Sequence, residues 1–290
     1  MTGAALRARG EALAGALPPL LAAADQLAAT VLLGEHGRRR AGMGDEFWQY
    51  RPAHPGDAAR TIDWRRSARS DAHFVREREW QAAQSVLLWV DGGRAMAYSG
   101  APGRRETKAA RARLLAMAIA VLLVRAGERV GLTGPLAPPR SGQAQLVRLA
   151  EALGADAPAD HPPPEARGMI AHSRAVFVSD FLGDTAPVEA ALAKAADRGV
   201  KGLLIQVLDP AEEDFPFDGR TLFESMTGAL RFETLKAGEL RGRYRARLAA
   251  RKQHLAQITG RCGWQYLCHH TGAPAQGALM WAWRALEGGR

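Results

Sequence analysis

Ser85-Val-Leu-Leu-Trp-Val90 runs straight into Asp91-Gly92-Gly93. A short apolar run without polar alternation reads as a strand buried on both faces, and the acid with its two glycines reads as the loop that ends it. The same step recurs downstream. Ala175–Asp180 (AVFVSD) and Gly202–Leu208 (GLLIQVL) are apolar runs that close on Asp180 and Asp209, while Arg129–Thr133 (RVGLT) is a shorter strand after the first. Helical spacing fills the intervals: Thr107–Ala126 closed by Gly127, Gln143–Leu153 with Ser141 as its expected N-cap, Pro187–Arg198, Gly238–Thr259 and Ala278–Leu286. Leu222–Met226 and Ala229–Leu235 are expected to pair as a hairpin across Thr227-Gly228, and Trp264–His270 as a last strand. Strands alternating with helices give an α/β protein with a mostly parallel sheet covered on both faces. Ligands bind such sheets beyond the carboxyl ends of the strands, so Asp91, Asp180 and Asp209 mark the edge where a site is expected.

Composition sets the outer bounds. The 290 residues suit one large α/β domain, or one with an appendage, and 47% apolar with 24% charged residues is a globular balance. A formal net charge of +9 favours acidic partners: nucleic acid, anionic lipid or an acidic protein face. The two cysteines, Cys262 and Cys268, make neither a disulfide framework nor a zinc spacing. Leu114–Val124, bracketed by Arg113 and Arg125, falls short of the roughly 18–20 apolar residues a spanning helix needs. Glu11, Pro18-Pro19 and Asp25 interrupt the signal-like start, so a cytoplasmic chain with no transmembrane segment is expected. Leucines at near-helical spacing between Leu6 and Leu32 predict one or two helices broken at Pro18-Pro19. From Gly34 to about Glu79 glycine, proline, charge and tryptophans at 48, 64 and 80 replace that pattern, as in an ordered but irregular segment. The expected division is therefore residues 1–84, packed on a main domain of residues 85–290.

Within that irregular segment, Gly42-Met-Gly-Asp-Glu-Phe47, Arg51, Pro55-Gly-Asp57, Arg60, Ile62-Asp-Trp64, Ser67-Ala-Arg69 and Val75-Arg-Glu77 follow in order. Together they resemble the signature of domain-of-unknown-function family fifty-eight, and the likeness extends over roughly residues 34–286. The resemblance implies a von Willebrand factor A-like fold and a MoxR-type AAA+ ATPase as partner, in systems that assemble or mature a client protein. It also implies an ion site, an Asp-x-Ser-x-Ser loop with a distant Thr and a further Asp. Such hydroxyls and carboxylates offer hard oxygens to Mg²⁺. Here the loop is Asp91-Gly-Gly93-Arg94-Ala95, so both serine positions have lost their oxygens; Asp180 matches the later acid, and Thr133 and Ser141 lie in the region of the Thr. Asp91 and Asp180 are then residual ligands of a degenerate site that takes no cofactor.

In the signature, Arg51, Arg60 and Arg69 lie near Asp57 and Asp63. Planar guanidinium–carboxylate pairs there form either a folding clasp, with Trp64 as an apolar anchor, or a docking surface for the ATPase. Two basic clusters read as solvated surface: Arg104, Arg105, Lys108, Arg111 and Arg113, and the helical Arg241, Arg243, Arg245, Arg247, Arg251 and Lys252. Adjacent strand residues face opposite sides, so His269 and His270 do not share a metal. Neither a Gly-x-Ser-x-Gly elbow nor a phosphate-cradling Gly-x-x-x-x-Gly-Lys loop is present. The expectation is a non-enzymatic adaptor for the ATPase and its client, with a nucleic-acid-associated protein working through the basic helices as the alternative.

Overall fold

A computed structural model describes residues 19–34, 47–53, 62–68, 73–78, 83–134 and 137–287. Contacts divide the chain into Met1–Glu35 with Gln84–Arg290, and His36–Ala83. The first helix, α1 (Pro19–Gly34), therefore belongs with the sheet and not with the signature segment, which shifts the division expected from sequence.

The smaller unit carries β1 (Phe47–Pro52), the single turn α2 (Trp64–Ser67) and β2 (Phe74–Arg78), with the two strands antiparallel and irregular between Phe47 and Gln49. Ser67 ties the signature to itself. Its Oγ donates to the Asp63 carbonyl at 2.8 Å and accepts the Phe74 amide at 3.0 Å. Trp64 stands exposed, edge-on to His73 with centroids 5.5 Å apart. Asp57, Arg60 and Arg69 lie outside the described residues, as does the side chain of Arg51, and the guanidinium clasp with them.

The larger unit continues with β3 (Ser85–Val90), α3 (Lys108–Arg125), β4 (Arg129–Leu132), α4 (Gln143–Ala152), β5 (Arg174–Ser179), α5 (Ala186–Ala196), β6 (Lys201–Leu208), α6 (Pro210–Asp214), β7 (Thr221–Glu224), β8 (Arg231–Thr234), α7 (Ala237–Arg261), β9 (Gln265–His270) and α8 (Ala275–Glu287). Five strands form a wholly parallel sheet in the order β4-β3-β5-β6-β9. Alternation along each strand sorts the side chains. Val86, Leu88, Val176, Val178, Ile205 and Val207 face α1, α3, α4 and α8, whereas Leu87, Trp89, Phe177 and Leu204 face α5 and α7.

Thr107 caps α3 by accepting the Ala110 amide, and Gly127, at φ +83°, lets the chain leave it. Because α3 is wrapped by α1, α4, α8 and the sheet, its apolar run is core; no described helix is long and apolar enough to cross a membrane. Gly142, not Ser141, caps α4, at φ +90° where a Cβ would be strained. β7 and β8 pair as the expected hairpin, apart from the main sheet. The sheet order reverses between β3 and β5, and that switch point is where doubly wound sheets place their ligands.

Candidate functional site

Asp91 leaves β3 and Asp180 leaves β5, one on each side of the switch point. Ser179 spans it, its hydroxyl donating to Asp91 Oδ2 at 2.6 Å, while the Gly93 amide donates to Oδ1 at 2.7 Å. Burial outweighs these bonds and raises the Asp91 carboxyl above its usual range. After Asp180 the chain turns sharply, with Phe181 at φ +49°, a costly conformation for a bulky residue. The turn aims the Phe181 amide at Ser179 Oγ and the Leu182 amide at Asp180 Oδ1.

Lys108, the first residue of α3, points into this edge with 1% of its surface exposed. Its ammonium donates to Asp180 Oδ2 at 2.7 Å and to Glu212 Oε1 at 2.6 Å, with the Tyr98 ring 5.6 Å away. Glu212 is itself fixed by the capping box of α6: its other oxygen accepts the Asp209 amide, and Asp209 accepts the Ala211 amide. Arg105 and Thr271 hold Asp209 in turn. Complete burial opposes the charge on Asp180, but the Lys108 ammonium, with His161 Nδ1 at 3.5 Å, holds it well below the usual carboxylate range. Burial likewise works against the Lys108 charge, and the two carboxylates more than restore it, so the ammonium holds its proton more tightly than a free lysine. For Glu212 burial wins, and its carboxyl is raised despite Lys108.

Asp91, His161 and Asp180 present ligand atoms within 4.8 Å of one another, so the site can be tested for a divalent ion. It does not fit one. A cation already neutralises Asp180. Gly93, where the resemblance calls for a hydroxyl, has no room for one: a Cβ there would lie 2.3 Å from the Asp160 carbonyl and 2.5 Å from Pro162 Cδ. Residues 155–162 fill that space, bonded to the loop through Ala157 N to Gly92 O and Arg94 N to Ala159 O. Thr133 follows β4 and makes no hydrogen bond to either acid among the described residues.

Residues 49–254 match the family described as "Protein of unknown function DUF58". The chain belongs to the DUF58 family. It is similar to the uncharacterized protein Rv1480 of Mycobacterium tuberculosis and to Mb1516 of Mycobacterium bovis, each 27% identical over 271 residues, spanning 87% of this chain and 82% of theirs. Among solved structures it is similar to BatB of Bacteroides thetaiotaomicron (TM-score 0.43, 11% identity) and to an aerotolerance-related membrane protein of Bacteroides fragilis (TM-score 0.42, 12% identity). Each match covers 71% of this chain and all of the other; likeness at that level carries no weight for fold or function.

The basic clusters of this DUF58 chain are only in part the solvated surfaces expected: Arg104, Arg243, Arg245 and Arg247 are exposed. In the first, Lys108 and Arg111 are buried. Arg111 pairs with Glu106 and donates to His269 Nε2 at 2.7 Å and to the Thr271 carbonyl at 3.1 Å. Burial, then Arg111, lowers His269 to about 4. In the second, Arg241 donates to the carbonyls of Phe215 and Phe217, Arg245 to that of Asp214, Arg251 to that of Gly183, and Lys252 pairs with Glu213. Arg243 and Arg247 alone of that helical set have no such partner among the described residues.

His269 and His270 do face opposite ways, the latter meeting Glu213 Oε2 at 2.9 Å. Glu213, Cys268 and His270 form a second group of ligand atoms within 4.8 Å of one another, where Lys252 again holds the acid. Sequence reading missed Lys108 and Glu212. Glu212 left a signal, the Asp-x-x-Glu of a capping box at 209–212; Lys108 left none.

Proposed function

We propose that this DUF58 chain is a non-enzymatic interaction protein of the cytoplasm, working beside a MoxR-type AAA+ ATPase as that ring assembles or matures a client protein. The observation that carries the interaction reading is Lys108. Its ammonium stands among the acids at the sheet's switch point, where a reactive or adhesive site in such a fold would hold a metal, and it makes that edge a fixed, internally neutralised surface. In this reading the sheet is von Willebrand factor A-like, with a degenerate ion site that takes no cofactor. The ATPase partnership is what the signature resemblance implies. Co-elution of the purified chain with the MoxR-type ATPase of the same genome, run without nucleotide and with ADP, ATP and a slowly hydrolysed ATP analogue, tests it. Retention in at least one state is expected; failure in all of them removes the partnership. The nucleic-acid reading draws less support, because most of the basic side chains on α7 are spent on carbonyls and acids of the chain itself.

A further inference from the structure

Beside the switch point lies a cavity of about 430 Å³ that no part of the proposed function uses. Its walls are Tyr98, Phe215, Phe217, Phe223, Phe232 and Tyr244, brought from the loop after β3, from the segment after α6, from the β7–β8 hairpin and from α7. The rings pack on one another: Phe215 against Tyr244 at 4.8 Å, against Phe217 at 5.2 Å and stacked on Phe223 at 5.7 Å, with Phe232 stacked beyond Phe223 at 6.5 Å. Phe215 is held at φ +43°, and Arg241 clamps its carbonyl at 3.0 Å. The cavity is thus a built feature, within the size range of ligand pockets and of their mostly apolar kind.

Its polar groups are few and placed. Leu240, Arg243, Tyr244 and Arg247 follow one another at helical spacing, so a single stripe of α7 supplies both apolar wall and guanidinium rim. Both arginines are exposed and, unlike Arg241, Arg245, Arg251 and Lys252, make no hydrogen bond or ion pair among the described residues. Glu212 lines the cavity too, but Lys108 holds its carboxylate. The apolar surface also continues outside. Of seven exposed large apolar side chains among the described residues, five (Leu222, Met226, Leu230, Phe232 and Leu235) lie on or beside the hairpin. A small ligand would leave that strip bare, whereas a chain crossing the hairpin would cover it.

We infer that this cavity and hairpin form a docking site for an acidic peptide segment of a partner protein, one that drops an aromatic or large aliphatic side chain among the rings while carboxylates on either side meet Arg243 and Arg247. Guanidinium–carboxylate pairs give register and charge selection, and the buried anchor gives most of the affinity. The site needs no ATPase, so its success or failure is read apart from the partnership above.

The probe is a fluorescein-labelled peptide with one central phenylalanine flanked on both sides by glutamates, titrated by fluorescence anisotropy with the full chain. Saturable binding is expected, weakened at least about tenfold in R243E/R247E, in F232S, or when the phenylalanine is replaced by serine, and weakened by salt. All three altered side chains are exposed, so circular dichroism should show each variant folded. The inference is overturned by an isotherm that does not saturate below about 1 mM at low salt. It is equally overturned if R243E/R247E binds unchanged, if the serine peptide binds as well, or if a single-stranded oligonucleotide displaces the peptide from the arginines.

Discussion

Replacing Lys108 by methionine keeps the stem and removes the ammonium. Asp180 and Glu212, 0% and 13% exposed at their side chains, then lose the cation that lies 2.7 Å and 2.6 Å from them. His161 at 3.5 Å and one amide remain for Asp180. Breaking a buried pair by removing one partner costs about 3–5 kcal/mol, because the charge left behind is desolvated and unpaired. At about 2–4 °C per kcal/mol for a unit of this size, K108M should melt about 6–20 °C below the parent. The deficit also has a pH signature. Asp180 is depressed in the folded chain, so its contribution is present above its unfolded pKa near 3.9 and is lost as pH falls through the lower folded value. Without Lys108 that contribution is absent at neutral pH, and the gap between variant and parent should narrow as pH drops below about 4. Thermal and urea unfolding at several pH values measure both effects. The triple variant K108M/D180N/E212Q removes the stranded charges and should recover most of the loss. A K108M deficit under about 1 kcal/mol, or a triple variant no better than the single, would refute the role given to Lys108.

Three other outcomes follow from the same edge and from the signature. Gly93→Ser restores the hydroxyl of an ion-binding loop but drives its Cβ into Asp160 and Pro162, so it should lower stability by about 1–3 kcal/mol in urea and gain no response to Mg²⁺. His269, at about 4 against an unfolded value near 6.5, stays neutral in the folded chain; its share of stability is present above about 6.5 and lost as pH falls towards 4. H269Q should flatten that section of the melting-temperature profile relative to the parent. Ser67→Ala removes two hydrogen bonds that close the signature onto β2, and limited proteolysis should then cut the His36–Ala83 unit faster, consistent with a loss of about 1 kcal/mol.

Much of the larger unit is legible in the chain because buried parallel strands leave a plain mark. SVLLWV, AVFVS and GLLIQVL are apolar without alternation, and each closes on an acid that the sheet brings to one end. The hairpin is legible for a related reason, Thr227-Gly228 between two strand-like runs. Strand order is not, since nothing local says that β4 turns back beside β3 while β5 crosses to its other side. Nor is the fate of the basic residues. Lys108 sits in sequence among Arg104, Arg105, Arg111 and Arg113 and reads as surface. Its burial is decided by carboxylates 72 and 104 residues away. Arg241 is half-buried for a similar reason: carbonyls that the segment after α6 leaves open hold it. Gly93 shows the opposite case, where sequence gives the loss of a hydroxyl and only packing gives its reason.

At the acidic end of the sheet we propose Lys108, in place of a metal ion, as the resident cation. Titrating Mn²⁺ into the parent chain by isothermal calorimetry tests it directly. No saturable heat is expected up to millimolar ion. A one-to-one isotherm with micromolar affinity that disappears in D180N would contradict it.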